Sequence, residues 1–241
     1  MLLNPHYTYL CLNLLTIAFP LAAVKDSRFS YYRSLQYLWP ALIFTGACFI
    51  AADVWFTRQG IWSFNPEYII GIYWLDLPVE EWLFFACIPF SCVFIYECIG
   101  CFMPHAGSGN TAYYIAWMLV GLLGMVAFLF GERTYTSLKL GGAALAIVLH
   151  LMVFNRQVIG RFLVAYLFTL LPFLLVNGVL TYLPVVYYND SENLGIRISD
   201  FTGIPFFNIP IEDTVYSLFL MLVNVSIFEW LRMRDRQKTV L

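Results

Sequence analysis

Charged residues are scarce in this chain of 241 residues, in which Asp, Glu, Lys and Arg make up 12% and hydrophobic residues 61%. Soluble domains carry roughly twice that charged fraction. A water-soluble core of this length could not bury so many apolar side chains, so the composition predicts an integral membrane protein embedded in the lipid bilayer. The formal net charge of −2 is small and gives no support for a nucleic-acid partner.

Sequence motifs for nucleotide or metal chemistry are also missing. The chain has no GxGxxG pattern, no Walker loop and no HExxH. One CxxC, at Cys98 and Cys101, is followed by His105. A structural zinc site needs four ligands, however, and the sequence has no second CxxC pair. We therefore interpret these cysteines as helix-end packing residues and expect neither a metal nor a cofactor.

Long apolar runs are what the sequence does contain. Each is near the length of about 20 residues that a membrane-spanning helix needs. The N-terminal run has no basic segment before it, so we expect it to be a span and not a cleaved signal. The sequence predicts an all-α integral membrane protein with seven transmembrane helices, at about residues 7–24, 37–57, 78–99, 112–130, 138–154, 162–183 and 210–230.

Basic residues between these runs predict the orientation, because cytoplasmic loops are enriched in Lys and Arg. The first loop, the loop after the fifth run and the C-terminal tail are the basic ones, and with seven spans all three lie on one side. We expect a multi-pass protein of the cell (inner) membrane with its N-terminus outside and its C-terminus cytoplasmic. Arg133 and Lys139, which this assignment puts in an outer loop, are its weakest point.

One short motif occurs twice and aligns without a gap, at residues 71–81 and 203–213. Each copy ends in a proline, an aliphatic residue and two acids, namely Glu80 and Glu81 in the first copy and Glu212 and Asp213 in the second. The surrounding helices also correspond, which predicts a parallel 3+1+3 internal repeat. The expected parts are a first repeat (1–103), a linker and joining helix (104–137) and a second repeat (138–241), with both motifs at one membrane face.

Paired acids at a helix start have two interpretations. Acids are common in a first helical turn, where they interact with the helix dipole. In a membrane, however, acids are costly, and two that meet across a repeat axis could divide into one protonated and one ionised group, as acid–base catalysis requires. Glu97 and Glu229 lie roughly 25 Å further along the same helices, so we expect them near the opposite face, paired with basic residues such as Arg232.

At this point the sequence resembles a known family. Residues 78–85 (PVEEWLFF) and 207–213 (FNIPIED) are similar to motifs of the membrane-embedded lycopene cyclases, which occur as two small subunits or as fused chains, and this chain resembles a fused form. Residues 62–64 and 172–178 also look like family motifs. The resemblance implies redox-neutral cyclisation of the ψ-ends of lycopene to β-carotene via γ-carotene.

That resemblance implies a mechanism and a set of site residues. An acid protonates C2 of the terminal double bond, the C5=C6 bond attacks the resulting cation at C1, and a base removes a proton from C6. The expected catalytic acids are Glu80, Glu81, Glu212 and Asp213. The expected substrate-binding residues are Trp74, Trp82, Phe84, Phe206, Phe207, Tyr216, Asp53 and Asn177. Lycopene and other hydrophobic carotenoids are the expected ligands, and contact with other carotenoid-pathway enzymes is a further expectation.

Three alternatives stay open from the sequence. A related cyclase could form ε-rings or act on C50 carotenoids, because the ring type depends on which proton is lost. A SWEET-like transporter would share the 3+1+3 plan but would place polar residues at the membrane midplane, whereas here they concentrate at one face. A carotenoid-binding subunit without catalysis would tolerate loss of the acids.

Overall fold

The computed structural model describes residues 4–26, 28 and 31–240. Its helices are α1 (Thr8–Ala23), α2 (Tyr31–Arg58), α3 (Val79–Phe102), α4 (Thr111–Leu129), α5 (Thr134–Val153), α6 (Arg156–Tyr182), the short α7 (Ile198–Thr202) and α8 (Ile211–Val240). Within these described residues, all but α7 are long and apolar enough to cross a membrane. The prediction of seven spanning helices is confirmed, and the chain is a multi-pass membrane protein.

The helices extend beyond the apolar runs at several ends. α6 begins at Arg156 and so includes Arg161, and α8 continues through the basic residues of the tail. Hydropathy detects only the part of a helix that matches the hydrocarbon, and polar turns outside it are missed. The same effect hid the start of α5 at Thr134. Lys139 is therefore a helical residue that is 3% exposed, and its expected position in an outer loop was wrong.

Both motif helices begin just after a proline, one residue later than expected. Pro78 has φ −63° and ψ 149°, so it is the extended residue that caps α3, which begins at Val79. Pro210 likewise precedes α8, which begins at Ile211, and its backbone bridges to Arg197. Either way, both acids of each motif lie in the first helical turn.

Two small antiparallel ribbons cover the ends of the helices that carry the acids. Strand β1 (Trp62–Phe64), after α2, pairs with β4 (Val186–Tyr188), after α6, so that Trp62 lies opposite Tyr188. Strands β2 (Tyr73–Trp74) and β3 (Leu77–Pro78) form a hairpin just before α3. Its two turn residues, Leu75 and Asp76, have φ 50° and 68°, and Arg58 at the end of α2 holds Asp76 through a 2.8 Å ion pair.

The motif helices α3 and α8 lie at the centre of the bundle. α3 packs against α1, α2, α6 and α8, and α8 also packs against α2, α5 and α6. Helix α4, of which only a small part is buried, packs against α5 and α6. The largest core cluster lies between α2, α3, α6 and α8 and includes Tyr31, Phe90, Tyr96, Phe162 and Phe228, each at most 2% exposed. This packing holds the first turns of α3 and α8 at the same end of the molecule.

Candidate active site

Four acids are buried where the first turns of α3 and α8 meet the loops. Glu80 and Glu212 are 0% and 1% exposed, and Glu81 and Asp213 are 7% and 2% exposed. Burying carboxyl groups without compensating contacts is costly, so their partners indicate what each one does. The two acids of each pair have different partners.

Glu80 and Glu212 bind the loops that precede their helices. An Oε1 atom of Glu80 accepts a hydrogen bond of 2.7 Å from the backbone N–H of Ile70. Oε1 of Glu212 accepts one of 2.7 Å from the N–H of Leu194 and another of 2.7 Å from the hydroxyl of Thr136. In each residue the second oxygen, Oε2, has no hydrogen-bond partner among the described residues. These two acids fix the loops to the helix starts.

Glu81 and Asp213 instead line a cavity between α3, α6 and α8. The cavity follows α3 from Glu81 to Ile95, which corresponds to about 21 Å at the helical rise of 1.5 Å per residue. Its wall is mostly apolar and aromatic; α3 contributes Phe84, Ile88, Pro89, Cys92 and Ile95, α6 contributes Thr169, Pro172, Phe173, Val176 and Asn177, α8 contributes Tyr216, Leu220 and Met221, and the ribbon contributes Trp62, Phe64 and Tyr188. Two carboxyl groups from different helices thus line one long, mostly apolar space.

Hydrogen bonding to these two acids is unequal. Glu81 accepts one bond, 2.5 Å long, from the hydroxyl of Tyr9. Asp213 accepts bonds from the hydroxyl of Tyr135, from the hydroxyl of Tyr188 at 2.7 Å and from the amide of Asn177 at 3.1 Å. Burial, and then the charge of Asp213, raise the pKa of Tyr188 well above its ordinary value, so this phenol keeps its proton and donates it. Donors stabilise an ionised carboxylate, and Asp213 has three of them.

A buried ion pair lies behind the aromatic wall. The Lys139 ammonium is 3.8 Å from Oδ1 of Asp53, and both side chains are at most 4% exposed. The ammonium is also 3.2 Å from the ring centroid of Tyr216, 4.6 Å from that of Phe56 and 5.1 Å from that of Trp62. The rings of Tyr216 and Trp62 thus have the cavity on one side and a cation on the other.

The expected substrate-binding residues lie in two regions. Phe84, Asn177 and Tyr216 line the cavity, and Asp53 lies behind the wall, where it accepts a 3.3 Å hydrogen bond from Tyr216. Trp74 and Trp82 stack on each other 4.2 Å apart, with Trp74 63% exposed. Phe206 and Phe207 contact each other in the loop before α8, and Phe206 packs on Gly178. These last four are outside the wall formed by the described residues, and their role in binding stays a prediction.

Several site residues were missed at the level of sequence. Tyr9, Tyr135 and Tyr188 were not singled out because tyrosine is frequent in this chain, with 16 residues. One signal was available for two of them, since Tyr9 and Tyr135 each stand second in the first helix of their half. Lys139 also carried a signal, because a lysine in an apolar helix is costly and usually functional. Tyr188 carried none, because only pairing with β1 brings it to Asp213.

The opposite end of the bundle holds a second set of charges. Arg232 of α8 pairs with Glu97 of α3 and lies 3.3 Å from Glu229, which also pairs with Arg161 at 2.5 Å. The prediction that Glu97 and Glu229 pair with basic residues such as Arg232, away from the motif acids, is confirmed. Within the described residues, no group of three or more His, Cys, Asp or Glu side chains is arranged to hold a metal ion.

Comparison with known proteins identifies the family. A family model described as lycopene cyclase matches residues 6–99 and 132–231. No curated protein and no solved structure matched the chain. The matched residues make up most of the sequence and include the four motif acids, both ribbons and the ion pair of Lys139. The chain therefore belongs to the lycopene cyclase family.

Proposed function

We propose that this protein is a lycopene β-cyclase that converts the ψ-ends of lycopene into β-rings, via γ-carotene, without net oxidation or reduction. The observation that carries the proposal is that Glu81 of α3 and Asp213 of α8 line the same long apolar cavity. Cyclisation needs one group that gives a proton and one that takes a proton. It also needs surroundings from which water is excluded.

The cavity has the shape and access that a polyene needs. About 21 Å along α3 accommodates one end of the substrate and part of its chain. Pro172, near the middle of the spanning helix α6, lines the cavity and is exposed. In this proposal, a carotenoid dissolved in the bilayer enters the cavity beside Pro172 and reaches the acids without crossing water. The two ends are then cyclised in separate binding events.

The two acids have distinct roles in this proposal. Asp213, with three hydrogen-bond donors, is the ionised group that accepts the proton. Glu81, with Tyr9 as its hydrogen-bond donor and with Asp53 nearby, is the protonated group that donates it. Glu80 and Glu212 have a supporting role, because their Oε1 atoms are occupied by the loops.

The steps follow from these roles. Glu81 protonates C2, and the positive charge appears at C1. The π electrons of C5=C6 form the C1–C6 bond and leave the charge at C5, after which Asp213 takes the proton from C6 and the C5=C6 bond forms again. Return of that proton from Asp213 to Glu81 restores the enzyme. The faces of Tyr216, Phe84 and Trp62 stabilise the cation along this path.

In this proposal, equivalent residues of two internal repeats build the site. Tyr9 and Tyr135 each bond the second acid of their half, and the β1–β4 ribbon joins equivalent loops. The family match leaves out α4, the proposed joining helix. Because Tyr135 belongs to the site, we place the start of the second repeat at Thr134, four residues before the boundary of the 138–241 segment. The inner membrane, with the acids at its outer face and the C-terminus cytoplasmic, is the proposed location.

Expression in a lycopene-accumulating bacterium tests the function directly. The membrane pigments are extracted and separated, and the expected product is β-carotene, preceded by γ-carotene at early times. ε-Ring products or cyclised C50 carotenoids would instead identify the related cyclases. Unchanged lycopene, with the protein present in the membrane, would overturn the proposal in favour of a transporter or a carotenoid-binding subunit. Glu81→Gln is the matched negative control.

A further inference from the structure

Lys139 has no part in the steps above, yet its ammonium lies against the aromatic wall. It lies one helical turn after Tyr135 on α5, with its ammonium 3.2 Å from the ring centroid of Tyr216. A site that forms a carbocation gains nothing from an uncompensated cation behind its wall. Its negative partner, Asp53, lies 3.8 Å away, and the burial of both charges beside the site needs an explanation.

Stability alone does not account for this pair. At 3.8 Å the two charged atoms are further apart than in a hydrogen bond, and Oδ2 of Asp53 has no partner among the described residues. Taking two charges out of water is costly unless their geometry is close and their remaining hydrogen bonds are made. A neutral pair of similar size would cost less.

The matching positions in the other half of the chain do hold neutral residues. Asn13, one turn after Tyr9, stands where Lys139 stands after Tyr135, and it donates a 2.8 Å hydrogen bond to the carbonyl of Glu80. Asn177, which aligns with Asp53, donates to Asp213. Each member of the charged pair thus stands at a position where the other half has an asparagine, and both positions lie beside the same site.

Each charged group that faces Lys139 belongs to this site. Asp53 on α2, Asp213 on α8 and Glu81 on α3 act on it electrostatically, and the phenols of Tyr216 and Tyr135 surround it. Asp53 in turn accepts a hydrogen bond from Tyr216 and so holds this ring in the cavity wall. Asp53 and Asp213 also act on each other electrostatically, and two carboxylates that interact in this way disfavour each other's ionisation.

We propose that Lys139 is a positioning residue whose charge offsets that of Asp53, so that Asp213 stays ionised while Asp53 holds Tyr216. Without the ammonium, Asp53 and Asp213 compete for one proton, and the acceptor of the reaction is blocked in part of the molecules. The proposal rests on the proposed function for the role of Asp213 as acceptor. The charge state of Asp213 itself is measurable without any turnover.

The experiment compares Lys139→Asn, Asp53→Asn and the double variant, each of which installs the residue that the other half already has. Infrared spectra of the purified proteins are recorded over a pH series, and the difference from the same protein carrying Asp213→Asn isolates the carboxyl band of Asp213. Lycopene cyclisation is measured over the same series. Lys25→Asn, at an exposed lysine, is the control.

For Lys139→Asn we expect a protonated Asp213 band at neutral pH, cyclisation about tenfold slower there, and an acidic limb of the activity profile at higher pH. In the double variant, both the ionised band and the activity return towards wild type. An Asp213 band that is the same in wild type and Lys139→Asn would overturn the proposal.

A second comparison applies if Lys139→Asn does not fold. Asp53→Asn and the double variant differ only at Lys139, and we expect Asp213 to ionise at higher pH in the double variant. Equal titration in these two proteins would also overturn the proposal. If the wild type leaves lycopene unchanged, the proposed function is wrong. The infrared comparison would still measure the charge state of Asp213.

Discussion

The second acids of the two motifs have different neighbours. Glu81 and Asp213 occupy matching positions in the first turns of α3 and α8. Near Asp213, Tyr188 of β4 supplies a hydroxyl; in the antiparallel ribbon, the residue at the matching end of β1 is Phe64, which has none. Asn177 donates to Asp213, whereas Asp53, its counterpart, is an acceptor. In the proposed function, these neighbours are the reason that Glu81 is the proton donor and Asp213 the proton acceptor.

Removing the carboxyl charge at each motif position separates the roles of the four acids. We expect Glu81→Gln and Asp213→Asn each to lower lycopene cyclisation by at least about a hundredfold, the scale of lost acid–base catalysis. Glu80→Gln and Glu212→Gln should act mainly on stability, because these side chains hold the loops. Pigment analysis and thermal unfolding in detergent measure the two effects.

The control for this series is Glu67→Gln, at an exposed acid of the same loop region. Wild-type activity in Glu81→Gln or in Asp213→Asn would remove that residue from the mechanism. Loss of activity in Glu80→Gln, with unchanged thermal stability, would move the proton donor to the first acid of the pair.

Removing one donor from Asp213 gives a smaller, graded effect. Tyr188→Phe deletes the 2.7 Å hydrogen bond to this carboxylate. A hydrogen bond to a charged group contributes about 1.5–3 kcal/mol, so we expect cyclisation to slow by about tenfold or more. Tyr187→Phe is the neighbouring control, because its hydroxyl interacts with Asn65. Initial rates in membranes at several pH values measure the effect, and equal rates in the two variants would contradict the assignment of Asp213.

At the scale of elements, composition was enough to predict the spanning helices but not the structure between them. Apolar length fixes a helix locally, so α1 to α6 and α8 are visible in the sequence. The ribbon of β1 and β4 joins residues more than 120 positions apart, and no local pattern encodes that pairing. The acids were found because their motif is repeated. The signals for Tyr9, Tyr135 and Lys139 were weaker than a repeated motif, and Tyr188 carried none because only the ribbon brings it to Asp213.

Close packing between the α3–α4 loop and α6 gives a prediction for one glycine pair. A Cβ atom built on Gly160 would lie 2.0 Å from the carbonyl oxygen of Gly107. Gly160→Ala must therefore displace the loop, and we expect a loss of about 1–3 kcal/mol in stability. Gly121→Ala in α4 is the matched control, because no atom lies within 4 Å of its added Cβ and alanine favours a helix. Thermal unfolding measures both, and equal stability would contradict the packing.

At the scale of the whole molecule, charge is confined to the two ends of an apolar bundle. One end holds the acids and Lys139, and the other holds the network in which Arg232 joins Glu97 of α3 to Glu229 of α8. Between them α2 packs on α8, and α3 packs on α6 and α8. The halves are therefore joined by helix packing along their length and by polar contacts at both ends. Their association depends less on the loop that connects them.

That arrangement predicts that the chain works when it is cut between the halves. A break between Ser108 and Gly109, both exposed in the α3–α4 loop, leaves Glu81 in one fragment and Asp213 in the other. We expect the fragments 1–108 and 109–241 to form β-carotene when they are co-expressed with lycopene. Neither should do so alone, because each supplies one of the two acids. Co-expression with Asp213→Asn in the second fragment controls for incomplete assembly, and cyclisation by 1–108 alone would refute a site shared between the halves.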